Sequence, residues 1–439
     1  MSINRPPRAF SVSDTDRNLT AHAGAVLIRA AAQAVGLGSA IATHLRLKSR
    51  ARGLSEASSI LAMTEAVALG ATCLDDLAIA RADQAQEELR GFAVPAPQTA
   101  GSFLRRFTLG HIRQLDKALR AVHLRAFRLL GVSTNDVVTL DFDSTYIRSY
   151  SSRREGADPT WTKRYTLHPL LCFVAEFGTC LHAKLRRGKA APSRGIATFV
   201  VECLRRVPQG VGIRARFDSG FFSSPLFEEL EQRGVLYLCG VPLIPRLTSV
   251  IREIPDTSWI PCIDKEEGEI AEFGYRIASD KSRRFRRCVV KRIPVSVGAQ
   301  MEIESAGYHH WVLVTNDHVT DAATLESEHR HKAQVESGMR ELKENFGLDV
   351  LRKHGFMANW AWLLIVVAAL NLTRWTQLLG SLDPQDMRAK RLRYRYLNVP
   401  ALLARTGRRQ VLRLPRRYPL IERFVAALAR MRSLPAPAG

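Results

Sequence analysis

The chain is short of cysteine, of acids and of long apolar runs, and each shortage excludes something. Its 7 cysteines in 439 residues are scattered, odd in number and never spaced as a CxxC pair. That excludes a disulfide framework and a zinc ribbon, and points to a reducing compartment. The longest apolar run, WAWLLIVVAAL from Trp360 to Leu370, falls short of the roughly 20 residues that cross a bilayer. It predicts a buried core helix. The first residues, MSINRPPRAFSVSD, hold no apolar stretch of the kind that marks a secretory signal, so a cytoplasmic location is expected. No helical repeat of fixed period stands out. Acids are the most consequential shortage: 42 Asp and Glu stand against 64 Lys and Arg, a formal net charge of +22. A field of that sign draws in polyanions over long range. Nucleic acid is the first partner it implies, and an anionic membrane surface the second.

What is present falls into segments. Residues 20–131 are rich in Ala and Leu with apolar residues at helical spacing, as in AGAVLIRAAAQAVGL and HIRQLDKALRAVHLRAFRLLG. From Val137 the pattern changes. DVVTLDFDSTYI alternates, with Val138, Leu140 and Phe142 on one face and Thr139, Asp141 and Asp143 on the other. That is a strand with one buried face. HPLLCFVAEFG and CLHAKLRRG read as a hairpin turning near Gly178, GIATFVVECLRRV as a helix, and GIRARFDSGF as a strand ending at Asp218. PLFEELEQRG reads as a helix and VLYLCGV as a strand. The order β-β-β-α-β-α-β predicts an α/β fold, a mixed sheet flanked by helices. The expected boundaries are a helical region at 1–131, a core built from 132–241 and 311–380, a β-rich insertion at 242–310 and a basic region at 381–439. A single helix is predicted from Asp321 to Phe346, and an apolar one from Met357 to Leu379. The stretch from Arg388 to Arg417 contains no acid and reads as a DNA-facing or disordered segment.

Three acids in this layout can carry chemistry. Asp143 in LDFDSTY and Asp218 in RARFDSGF both stand where a strand ends and a loop begins. Ligands of open α/β sheets collect at that edge. Glu336 lies in HRHKAQVESGMRELK. On one helix His329, Lys332, Glu336, Arg340 and Lys343 form a polar stripe, with Val335, Met339, Leu342 and Phe346 behind it. Alone, such a helix is an ordinary amphipathic surface helix with ion pairs. Beside two strand-end aspartates, Glu336 completes three hard oxygen donors, which can hold a pair of Mg2+ ions for phosphodiester chemistry. Arg216, Lys332, Arg340 and Lys343 would offset the acids toward DNA. Asp141 shares a face with Asp143 and is an alternative ligand. The D-S-T and D-S-G triplets also occur as plain turns and helix caps.

In their order, LDFDST, KRYTLHPLLCFVAEFGTCLHAKLRRG, RARFDSGFF and the Glu336 helix resemble a DDE transposase of bacterial insertion sequences, in the group marked by Y-x2-R-x3-E-x6-K. The likeness spans residues 20–380, and R-x-D-S-G-F is its most specific piece. Glu336 and Lys343 match the signature. His329 stands at its Tyr position and Lys332 at its Arg position, and Lys lacks the bidentate grip of a guanidinium. The resemblance implies a ribonuclease H-like core with a β-rich insertion. It implies cleavage at terminal inverted repeats and strand transfer into target DNA, with two Mg2+ ions on Asp143, Asp218 and Glu336, and with Mn2+ able to substitute. Double-stranded DNA is the implied partner, without a membrane, and a homodimer in a paired-end complex in the bacterial cytoplasm is the implied assembly. His329, Lys332, Arg340, Lys343 and Arg216 are the implied DNA contacts. Trp259 in the insertion either stacks on a flipped base or packs a hairpin. Arg283, Arg284, Arg286 and Arg287 either line a DNA groove or sit in a solvated loop. Two other classes fit the same residues: a DNA-binding protein of this fold that has lost catalysis, and a nuclease that does not join strands.

Overall fold

The computed structural model describes residues 11–437 apart from 15, 51–52, 161, 264–266, 278–283, 296–306, 332, 350, 352, 387 and 408; of residues 333–337 it describes the backbone alone. The alternation read at Val137 becomes the central strand β1 (Val137–Ser144). After it come β2 (Leu170–Val174), β3 (Thr179–Lys184), β4 (Gly212–Phe217) and β5 (Leu236–Val241). Helix α1 (Leu109–Leu129) precedes β1, α2 (Ile196–Leu204) precedes β4, and α3 (Ser224–Gln232) precedes β5. The β-rich stretch supplies β6 (Ile260–Pro261), β7 (Glu269–Arg276) and β8 (Phe285–Pro294), and β9 (Tyr308–Thr315) follows. Among the described residues these strands form one nine-stranded sheet in the order β6-β7-β8-β9-β5-β4-β1-β2-β3. β1 runs parallel to β4 and β4 to β5, while β2 is antiparallel to β1 and β9 to β5. The insertion is thus hydrogen-bonded into the central sheet through β9.

The register sorts side chains onto two faces. Leu140 and Phe142 turn to one side, where the Phe142 ring stacks on Phe217 at 4.6 Å and meets Phe199 of α2 edge-on. Helices α2 and α3 cover that face. Asp141 and Asp143 turn to the other, in register with Phe173 and Leu171 of β2. That second face is roofed by α1, by α5 (Ala333–Phe346) and by α6 (Phe356–Gly380). Helix α6 matches the apolar helix read from the sequence. It is long and apolar enough to cross a membrane, yet 83% of its apolar window is buried inside the protein. The N-terminal helices Ala25–Ala34 and Glu56–Leu69 pack on it.

Two expectations need correction. The single helix from Asp321 to Phe346 is broken: α4 (Ala322–Arg330) ends first, and α5 begins at Ala333. A helix leaves its last carbonyls without partners inside it. Here the Glu328 carbonyl accepts from Arg216 Nη1 of β4, which ties the end of α4 to the sheet edge while α5 sets off across the sheet face. The basic stretch after Arg388 is folded and not disordered. It forms a hairpin (Ala401–Thr406 with Arg409–Arg413) and leads to α7 (Ile421–Ser433). Arg393 anchors it. Its buried guanidinium donates to the carbonyls of Val67, Ala68 and Asn345 at 2.8–2.9 Å and lies 4.7 Å from the Phe346 ring centre.

Candidate active site

Parallel pairing of β1 with β4 sets Asp141 opposite Arg216. The pairing ends at that rung; carried two residues further, the same register sets Asp143, at the end of β1, level with Asp218, the residue just past β4. Side chains two apart on a strand share a face. The two carboxylates therefore lie on one face of neighbouring strands, whose spacing in a sheet is about 4.8 Å. Asp143 is half-buried and Asp218 exposed. Asp141 is fully buried, and Arg216 grips it with Nε to Oδ1 at 2.6 Å and Nη2 to Oδ2 at 2.7 Å.

Local contacts fix the Asp143 carboxylate and the backbone at Asp218. The Ser144 amide donates to Asp143 Oδ1 at 2.6 Å. Ser144 Oγ lies 3.0 Å from His168 Nε2, and His168 Nδ1 lies 2.7 Å from the Ala190 carbonyl. A carbonyl only accepts, so Nδ1 carries the proton and Nε2 accepts from the serine. Burial pushes the His168 imidazolium pKa down to about 4, which keeps that ring neutral at neutral pH. The Tyr146 ring stacks on it at 4.1 Å. Arg186 holds the surrounding loop through its bonds to the carbonyls of His168, Ala191, Pro192 and Arg194. At Asp218 a short 3-10 turn, Ser219–Phe221, starts at once. A Cβ on Gly240 of β5 would stand 2.8 Å from the Ser219 amide nitrogen, so a glycine there lets the turn close onto the sheet.

Helix α5 crosses the same face. A Cβ on Gly338 would stand 2.9 Å from the Phe173 ring, and Phe173 is the register partner of Asp141. Met339, Leu342 and Phe346 are buried beneath the helix, while Arg340 is exposed and Lys343 half-buried. Glu336 is two residues before that close contact. Its side chain lies outside the described residues, and so does the whole of Lys332.

The remaining expected contacts separate clearly. Arg216 is 4% exposed and spent on Asp141 and the Glu328 carbonyl; it is a buried structural cation and not a DNA contact. His329 is on α4, off the α5 stripe, and donates from Nε2 to the Phe217 carbonyl at 3.1 Å, next to Asp218. Trp259 is 9% exposed, with the Arg292 guanidinium 4.0 Å from its ring centre; it is not presented for stacking and packs the insertion. Arg286 is buried on Glu231 at 2.8 Å and Arg287 grips Glu272 at 2.7 and 2.8 Å, so Arg286 ties β8 to α3 and Arg287 ties β8 to β7.

One surface that sequence reading passed over adjoins Asp218. A cleft of about 650 Å³ runs from Asp218 and Ser219 past Lys291 and His309 to Trp311, His329 and Arg330. Trp311 is 50% exposed, and Lys291 Nζ lies 5.3 Å from its ring centre. The strand motif YHHWVLVT held the signal, since Trp311 stands out of the apolar run that follows it.

The donors fit a hard divalent ion: carboxylate oxygens on adjacent strand ends, under a helix that carries a third acid. Among the described residues no three His, Cys, Asp or Glu side chains form a cluster able to hold a metal ion.

A family model described as transposase DDE domain, group 1, matches residues 7–436. No curated protein matches the chain. Among solved structures, the chain is similar to the cryo-EM structure of the piggyBac transposase synaptic complex with hairpin DNA, at 12% identity, over 84% of this chain and 78% of that one, with a TM-score of 0.41.

Proposed function

We propose, for a chain that belongs to the transposase DDE domain family, group 1, that Asp143, Asp218 and Glu336 are the acids that cut and join DNA. As a member of that family the protein is a transposase, and DNA is its substrate. The finer reading is metal-dependent cleavage at terminal inverted repeats followed by strand transfer, on a ribonuclease H-like core formed by β3-β2-β1-β4-β5. The observation that carries it is the register of β1 and β4, which levels Asp143 with Asp218 on the face crossed by α5.

Asp143, Asp218 and Glu336 would hold two Mg2+ ions, with Mn2+ as substitute. When bound, such ions lower the pKa of an attacking water and neutralise the leaving oxygen. The chain's own part is positioning. The Ser144 amide, with Ser144 turned toward neutral His168, holds the Asp143 carboxylate at the strand end. Phe217, held by His329, fixes the level at which Asp218 leaves the sheet. Arg340 and Lys343 on α5 would face the phosphates, and the helical region at 1–131 would recognise the element ends. Two copies would bring two ends together in the bacterial cytoplasm.

The test is an end-cleavage and joining assay in Mg2+ on a duplex carrying the element's terminal repeats. Asp143→Ala, Asp218→Ala and Glu336→Ala should each lose cleavage by roughly 10³-fold or more and keep DNA binding. Wild-type cleavage by any one of them refutes its assignment. Cleavage by the unaltered protein without joining would identify a nuclease, and binding without cleavage a protein that has lost catalysis.

A further inference from the structure

We infer a second DNA-phosphate site, in an arginine-lined cleft that lies past the turn between β2 and β3, at the other end of β1 from Asp143. The cleft, of about 740 Å³, lies where α6 ends and α7 passes it, and its cations are Arg391, Arg395, Arg423 and Arg430. Two carboxylates in its wall hold three of them in place. Asp383 pairs with Arg395 at 2.6 Å and with Arg423 at 3.0 Å, and Asp386 pairs with Arg391 at 3.1 Å. Four guanidinia against two carboxylates leave a surplus of two positive charges. Arg388, which grips Asp386 from its own Nε and Nη2 at 2.8 Å, adds a further one beside the cleft. A guanidinium has five N–H donors in a fixed fork, so one ion pair leaves others to give. Arg423 is 62% exposed and Arg391 50% exposed. Oriented, partly solvated guanidinia around a cavity suit the bidentate binding of phosphate oxygens.

The place of the cleft makes it a separate site. The first turn of α6 is tied to the Asp143 end of the molecule, where the Phe356 amide donates to Glu155 Oε2 at 2.8 Å. Further along, Arg374 lies against Gly178, in the turn between β2 and β3. That turn is at the opposite end of β1, since Leu140 pairs with Val174 and Ser144 with Leu170. The helix has 25 residues and so spans about 37 Å at 1.5 Å per residue. The cleft begins at Gly380 and Ser381, beyond that turn. A duplex held here is gripped away from the bond being cut.

The inference rests on the protein acting on DNA, and not on which acids cut it. Binding of the full-length protein to a fluorescent duplex without terminal repeats is measured by anisotropy, in chelator, over a series of salt concentrations. Ala426 is exposed on α7 in the wall of the cleft, and Val425, 55% exposed, is its neighbour outside the lining set. Ala426→Glu should weaken binding roughly tenfold and flatten the salt dependence by about one released counterion. Ala426→Gln should bind as the unaltered protein does, and Val425→Glu should show only the small loss that any added negative charge brings. The double variant Arg391→Gln, Arg423→Gln should reproduce the Ala426→Glu loss at an unchanged melting temperature. Equal binding by Ala426→Glu and Val425→Glu overturns the inference. Because chelator removes cleavage, an error in assigning the three acids would leave these results unmoved.

Discussion

Two alternate rungs of one strand pair, on the same face of the sheet, have opposite fates. On the lower rung Asp141 faces Arg216, both buried, and the pair is closed by two short hydrogen bonds. On the upper rung the same register levels Asp143 with Asp218 at the solvent edge, acid beside acid. The backbone is continuous between them, so the difference lies in the residue types and in their distance from water. A buried carboxylate without a cation is too costly to keep, and the lower rung meets that requirement from within the chain. Two like charges side by side at an open edge favour an incoming cation, and that is the property a metal-dependent site needs. The lesson is that sharing a face with a candidate ligand does not make Asp141 one: its charge is already matched.

Substitutions can break this contrast. The largest expected effect is on the lower rung. Asp141→Ala leaves Arg216 buried and unpaired and should cost about 3–5 kcal/mol in chemical denaturation, whereas removing both charges together with apolar residues should recover much of it. A loss below about 1 kcal/mol would show that the rung is not closed as described. Next is the roof. Gly338→Ala sets a methyl against the Phe173 ring and should cost about 1–3 kcal/mol by overpacking, with cleavage falling along with it as α5 is lifted off the face. A variant equally stable and active would remove α5 from the account.

Acid sharpens the comparison from a third direction. Burial lowers the imidazolium pKa of His123 and of His168 to about 4 each, so the unfolded chain takes up their protons first. Stability should therefore fall as pH drops from about 6.5 to 4, at up to about 1.4 kcal/mol per pH unit for each group. Below that, Glu202, whose pKa is about 2 against the desolvation that would raise it, because His182 and Lys184 bond to it, loses its contribution as it protonates. A melting temperature that stays flat from pH 7 to 5 would contradict the buried, neutral state of both histidines. The smallest effect belongs to the upper rung. Asp218→Asn, at an exposed position, should change stability by no more than about 0.5 kcal/mol while removing cleavage.

Much of this was legible in the sequence, and the parts that were not have physical reasons. The strand at Val137, the hairpin turning near Gly178 and the order of helices and strands through Val241 follow from apolar periodicity, which burial enforces. So do Met339, Leu342 and Phe346 as the inner stripe of α5. The break between α4 and α5 was not legible, and neither was the contact beside it, in which Arg216 of β4 reaches the Glu328 carbonyl at the end of α4. Arg216 read as a surface cation: its partner two residues before Asp143 is set by register, which a single strand's pattern does not reveal. Trp259 and Trp311 are both tryptophans in or beside a β-rich stretch, and only the sheet tells which one is covered by Arg292 and which faces the cleft. The folding of the arginine-rich end depended on Arg393 finding three distant carbonyls.

An upper rung that holds a divalent cation, as proposed, should bind one without DNA. Titrating Mn2+ into the DNA-free protein by calorimetry tests it most directly. The unaltered protein should bind, and Asp143→Asn and Asp218→Asn should each bind at least roughly tenfold more weakly, since each replaces a charged oxygen donor with a neutral one. Undiminished Mn2+ binding by the double variant Asp143→Asn, Asp218→Asn would contradict the proposal.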